Sequence, residues 1–91
     1  MVKKEFIVEL NGIIGTIHTY TRNPFMMGYT QELKKAVENN DFDTMRIVLD
    51  RVIEWYNEEI DKIKNDDYVL NKSMHEKAYG ILCEYRQALQ I

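Results

Sequence analysis

Residues 3–20, KKEFIVELNGIIGTIHTY, carry the strongest local signal in the chain. Asn11 and Gly12 lie between two runs rich in β-branched and aromatic residues. A type I′ turn favours this dipeptide because both of its central residues need positive φ. A two-residue loop here pairs Phe6 with Ile17 and keeps apolar side chains on one face of both strands. The stretch therefore predicts a two-stranded antiparallel β-hairpin.

A helix competes for the same residues, because apolar side chains also recur there at the spacing of an amphipathic helix. The positions that share this spacing are Phe6, Leu10, Ile13, Ile17 and Tyr20. Against the helix stand two glycines, several threonines and the Asn-Gly pair, all of which have low helix propensity. The propensities favour the hairpin.

Beyond the hairpin, the apolar residues follow a helical period to the end of the chain. The pattern predicts a short helix at 29–39, a long helix at 43–64 and a C-terminal helix at 74–89. With a junction at 21–28, the sequence predicts one α+β domain over residues 1–91, in which the hairpin packs on the helices. Such a sheet leaves its strand edges unpaired, which invites self-association or strand addition by a partner.

Two helix N-termini have capping signals in the sequence. Asp41 or Asp43 is placed to cap the long helix, because a carboxylate there accepts a hydrogen bond from a free backbone N–H. Ser73 and Glu76 have the spacing of a capping box, which predicts that the last helix begins just after Ser73.

Composition places the chain among ordinary globular proteins, with 45% apolar and 30% charged residues. Its net charge of −3 argues against a nucleic-acid backbone as the main partner. The single cysteine, Cys83, fits a reducing cytoplasm, and no apolar run approaches the roughly 20 residues of a membrane span. We expect a cytoplasmic protein.

Catalytic and metal-binding patterns are absent from the sequence. Ser73 is accounted for as a helix cap, and a nucleophilic Cys83 would need His18, from the predicted hairpin, to come near it as a base. Cys83, His18 and His75 follow no known metal-ligand spacing. We therefore expect no enzyme, no metal and no cofactor.

The junction contains a dense apolar segment, Phe25-Met26-Met27, between Pro24 and Gly28. We expect Phe25 to turn into the core, as aromatic residues at such junctions commonly do. The two methionines are suited either to filling core gaps or to an adaptable binding surface. The predicted partner-binding residues of this region are Arg22, Phe25, Met26, Met27 and Tyr29.

Two further surfaces are candidates for contacts. An acidic ridge is predicted along the long helix and consists of Asp43, Asp50, Glu54, Glu58 and Asp61. A stripe on the last helix is predicted to contact a second copy of the chain and consists of Tyr79, Gly80, Cys83 and Arg86. Gly80 costs about 1 kcal/mol relative to alanine inside a helix, so a close approach of another backbone would explain it.

These features predict a non-enzymatic interaction protein, a homodimer that docks on a larger partner as a regulator or inhibitor. Size, charge and composition also suit a phage or mobile-element protein. One alternative is a small-ligand or nucleotide-binding protein with a pocket at a dimer seam, lined by Tyr20, Arg22 and Lys34. A second alternative is a weak binder of single-stranded nucleic acid.

Overall fold

Four α-helices make up the described part of the chain. The computed structural model describes residues 4–89, and its helices are α1 (Lys4–Tyr20), α2 (Pro24–Glu38), α3 (Phe42–Asn65) and α4 (Lys72–Ala88). The described residues contain no strand, so the prediction of an α+β fold with a hairpin at 3–20 is wrong. Residue 3, at the start of that hairpin, lies outside the described residues.

The helical spacing of its apolar residues decides the conformation of α1. Its stripe is almost fully buried, with exposed fractions of 1% for Phe6 and 0% for Ile17. Asn11 and Gly12 lie within the helix, and neither has positive φ. Burying a side chain of this size contributes roughly 1.5–3 kcal/mol, and the stripe has several, so packing outweighs the propensity cost of the glycines.

The start of α2 corrects the predicted junction. Pro24 occupies the first turn, where its missing N–H costs nothing, and Asn23 accepts a hydrogen bond from the N–H of Phe25 at 2.9 Å. The helix therefore begins at Pro24, before the predicted start of the 29–39 helix. What was predicted as a junction over 21–28 is mostly helix.

A tight corner connects α2 to α3. Asn40 has φ of 54°, and the N–H groups of Asn40 and Asp41 donate to the carbonyls of Val37 and Ala36. This is a Schellman ending, in which asparagine tolerates the left-handed position better than most residues. Asp41 then accepts from the N–H of Thr44 at 3.2 Å. Of the two predicted caps for α3, Asp41 and Asp43, the structure therefore confirms Asp41.

The last two helices lie close to where the sequence predicts them. Helix α3 matches the predicted 43–64 to within a residue at each end. Helix α4 begins at Lys72 after Asn71, so the predicted capping box is wrong. Ser73 lies inside the helix, and Glu76 forms an ion pair with Lys64 at 3.6 Å instead.

The helices form an antiparallel bundle in which each helix packs on its two neighbours in the ring α1–α2–α3–α4. Side-chain contacts give the directions: Phe6 of α1 stacks on Tyr85 near the end of α4, while Tyr20 contacts His75 near its start. His18 and Thr30 join α1 to α2 at 2.8 Å. Apolar residues from all four helices share one core.

Candidate functional site

A groove between α2 and α3 contains residues from two of the predicted contact surfaces. It has a volume of about 220 Å³ and is lined by Asn23, Phe25, Met26, Tyr29, Arg51, Glu54, Trp55 and Glu58. Phe25, Met26 and Tyr29 belong to the predicted partner-binding set, while Glu54 and Glu58 belong to the acidic ridge. The structure thus places parts of these two predicted surfaces in one groove.

The cap of α2 sets the directions of Phe25 and Met26. Phe25 is 73% exposed, so the prediction that it turns into the core is wrong. Met26 is 2% exposed and belongs to the core. Successive helical side chains point about 100° apart, so a helix that begins at Pro24 and buries Met26 directs Phe25 outward.

The remaining predicted partner-binding residues differ in exposure. Tyr29 lies one turn after Phe25 on the same face and is half-buried. Met27 is also half-buried, and its carbonyl accepts a hydrogen bond from Thr30 at 2.9 Å. Arg22 is exposed in the connection before α2 and does not line the groove.

Helix α3 supplies the other wall from one face. The lining positions Arg51, Glu54, Trp55 and Glu58 have the spacing of neighbours on a helical surface. The Trp55 ring is half-buried and meets Tyr56 edge-on, with ring centroids 4.9 Å apart. Trp55 therefore gives the groove an aromatic wall that is packed on one side by Tyr56.

The charges at the groove are free to meet a partner. Arg51, Glu54 and Glu58 are exposed, and none has an ion-pair partner among the described residues. Together they give the groove one net negative charge, which favours a partner with a basic residue near its apolar anchor.

The other members of the acidic ridge have different surroundings. Asp43 pairs with Arg46 on the same helix, and Asp50 accepts from Arg86 of α4 at 2.5 Å. Asp61 is exposed and does not line the groove. The ridge is thus not one continuous free surface.

The stripe predicted to contact a second copy is partly occupied within the chain. Tyr79 donates a hydrogen bond to Asn57, and Arg86 is paired with Asp50. Gly80 is exposed, and a Cβ added there would meet nothing within 4 Å among the described residues, so none of their backbone requires a glycine there. Cys83 is half-buried.

The residues predicted to line a ligand pocket are not brought together. Tyr20 packs against Trp55 and His75 and donates to Glu59 at 3.2 Å. Tyr20 borders a pocket at the start of α4, and neither Arg22 nor Lys34 lines that pocket.

Sequence reasoning missed Trp55 and Arg51, although their spacing from Glu54 and Glu58 was visible. It also missed a deeply buried polar pair in which the Tyr56 hydroxyl lies 3.1 Å from Nδ1 of His75. Burial lowers the pKa of His75 and raises that of Tyr56. A histidine inside the apolar stripe of α4 was the one signal for this pair.

The described residues contain no group of at least three histidine, cysteine or acidic side chains arranged to hold a metal ion. None of the described helices combines the length and apolar character needed to cross a membrane.

Comparisons with known proteins identify a longer curated relative. No protein-family model and no solved structure matches the chain. The chain is similar to the uncharacterized protein YddK of Bacillus subtilis (strain 168), with 25% identity over 88 residues. The matching region is 97% of this chain and 33% of the relative, so the chain spans about a third of the length of the curated relative it matches.

Proposed function

We propose that the chain is a non-enzymatic, helical protein-interaction domain that docks on a larger partner through the groove between α2 and α3. The observation that carries the proposal is an aromatic side chain, Phe25, that is 73% exposed beside Tyr29 and Trp55. Tyrosine and tryptophan dominate the binding energy of many protein interfaces. The function proposed for the docked state is regulation or inhibition of the partner.

The charges of the groove support one kind of occupant. Glu54 and Glu58 lie one turn apart at its edge, and neither has an ion-pair partner among the described residues. The occupant is therefore a helix or loop of the partner that places an apolar side chain against Phe25 and a lysine or arginine against these carboxylates. Such complementarity mainly raises the association rate and the specificity.

The length of the relative is compatible with this proposal. Its chain is about three times as long as the matching region, so a segment of this kind also occurs as part of a larger protein. A cytoplasmic location, and an origin in a phage or mobile element, remain proposals that rest on composition and on the single cysteine.

Binding of single-stranded nucleic acid is less well supported. Phe25, the exposed aromatic side chain of the groove, lies beside Glu54 and Glu58. These carboxylates repel a phosphate backbone, whereas single-strand binders surround their aromatic residues with positive charge.

The proposal is tested by photo-crosslinking in the native host with a benzophenone amino acid at position 25 or at position 47. Ile47 is the matched control because it is an exposed apolar residue, 62% accessible, outside the groove. We expect a discrete adduct with one larger protein from position 25 and none from position 47. Changing both Glu54 and Glu58 to lysine should remove the adduct.

A stability control separates docking from folding. Phe25→Ser should change the free energy of unfolding by no more than about 0.5 kcal/mol, because the side chain is exposed. Adducts of equal yield from both positions, or an adduct that persists in the double lysine variant, would contradict the proposed groove.

A further inference from the structure

A second pocket is bounded by the end of α1, the connection 66–71 and the start of α4. Its volume is about 390 Å³. The residues that matter for its chemistry are Tyr20, Asp66, Tyr68, Leu70, Asn71 and His75.

His75, a buried residue, contributes a hydrogen-bond donor to the wall of this pocket. The residue is 3% exposed, and its Nδ1 lies 3.1 Å from the hydroxyl of Tyr56, which is 0% exposed. The Tyr56 hydroxyl has no other partner among the described residues, so its proton goes to Nδ1. Nε2 of His75 then carries the ring proton, and the described residues offer it no acceptor.

Burial keeps this histidine neutral. The pKa of His75 lies below its usual value because the ring is desolvated, so the imidazole is uncharged at neutral pH. It therefore offers a neutral N–H to a ligand and does not attract an anion. A ligand atom that accepts this hydrogen bond, such as a ring nitrogen, is required.

Asp66 supplies the pocket with a hydrogen-bond acceptor, and Asn71 supplies a side-chain amide. Asp66 accepts from the N–H of Tyr68 through Oδ1 at 2.9 Å, which leaves Oδ2 available. Asn71 precedes α4 without using its side chain as a cap, so its amide is also available. Asp66 is the charged residue of the pocket wall, which has no lysine or arginine. This wall favours an amino donor and disfavours phosphate.

The rim carries apolar side chains that the chain itself leaves uncovered. Tyr68 is 93% exposed and Leu70 is 92% exposed, and both belong to the pocket wall. A flat ligand would cover the ring of Tyr68, and stacking of a base on an aromatic side chain contributes about 1–3 kcal/mol.

We propose that this pocket binds a small, flat nitrogen heterocycle with an exocyclic amino group and no phosphate, such as adenine, cytosine or their nucleosides. The amino group donates to Asp66, a ring nitrogen accepts from Nε2 of His75, and Tyr68 covers one face. The site is separate from the docking groove, so either proposal can fail without the other.

The test is a titration of the ¹⁵N-labelled chain with adenosine, inosine and adenosine monophosphate, followed by amide chemical shifts. Adenosine should shift the resonances of the connection 66–71 and of His75. Inosine, which has a carbonyl in place of the amino group, and the monophosphate, which adds charge, should each bind about ten-fold more weakly.

Matched variants identify the groups that bind. Asp66→Asn keeps the turn but removes the charge, and it should weaken adenosine binding about ten-fold, as expected for loss of a charge-assisted hydrogen bond. Asp67→Asn, next to it but outside the pocket wall, should leave the affinity unchanged. Absence of shifts with adenosine, equal affinities for the three probes, or equal effects of the two variants would overturn the proposal.

Discussion

At the scale of single residues, the buried pair of Tyr56 and His75 makes the stability of the fold depend on pH. Burial of His75 disfavours its charged form and lowers its pKa below the usual value near 6.5. The unfolded chain then binds a proton at a higher pH than the native chain does. Stability is therefore full above about pH 6.5 and falls as the pH drops below that value.

This pair predicts a pH-dependent loss of stability that His75 itself causes. Urea unfolding followed by circular dichroism should give a lower free energy of unfolding at pH 5.5 than at pH 7.5. His75→Gln retains a hydrogen-bonding group near Tyr56 and should make this dependence shallower.

A matched histidine serves as the control for this experiment. His18 is half-buried and bonds Thr30 at 2.8 Å, away from Tyr56. His18→Gln should leave the dependence largely in place. An equal pH dependence in wild type and His75→Gln would show that His75 is not its source.

At the scale of the elements, α1 makes the sharpest prediction because its residues also suggested a hairpin. Gly15 lies inside α1, and a Cβ placed on it would meet nothing within 4 Å. Gly15→Ala should therefore raise the free energy of unfolding by roughly 0.5–1 kcal/mol, since alanine has the higher helix propensity. Urea unfolding measures the change.

A proline at the same position gives the opposing result. Gly15→Pro should cost about 3 kcal/mol or more, because proline in a helix interior removes a hydrogen bond and clashes with the preceding turn. Loss of stability in Gly15→Ala would instead mean that residue 15 does not lie in an open helical position.

Helix α1 also shows where prediction from the sequence stops. The apolar stripe of α3 runs for many turns, so its period predicted the helix to within a residue at each end. In α1 the same kind of stripe coincides with Asn11-Gly12, and local propensity predicted a hairpin where the chain forms a helix. Packing determines the helix, as in the stacking of Phe6 on Tyr85 with ring centroids 3.7 Å apart. These two residues are 79 positions apart, so no short segment of sequence indicates their contact.

Some residues of the candidate groove could be predicted from the sequence, but their meeting in one groove could not. Phe25 and Tyr29 were identified from composition, and Glu54 and Glu58 from charge, because each is visible in a short segment. Their meeting in one groove depends on how α2 packs on α3. The wrong inward direction predicted for Phe25 came from placing the helix start after Pro24 instead of at it.

At the scale of the whole molecule, the predicted homodimer has lost one of its two arguments. The described residues contain no strand whose edge a second copy would pair with. Of the stripe on α4, Tyr79 and Arg86 bond to α3 of the same chain, which leaves Gly80 and Cys83. The homodimer therefore now depends on a second chain that packs close to Gly80.

This dependence makes the dimer testable with one substitution. If a second chain packs there, sedimentation equilibrium should give twice the chain mass of 10.9 kDa for the wild type and the monomer mass for Gly80→Arg. Gly28→Arg is the matched control, since Gly28 also lies exposed within a helix with nothing within 4 Å of an added Cβ. It should leave the mass unchanged. A monomeric wild type, or dissociation by both variants alike, would contradict a dimer built on α4, because a contact specific to Gly80 cannot be disrupted from α2.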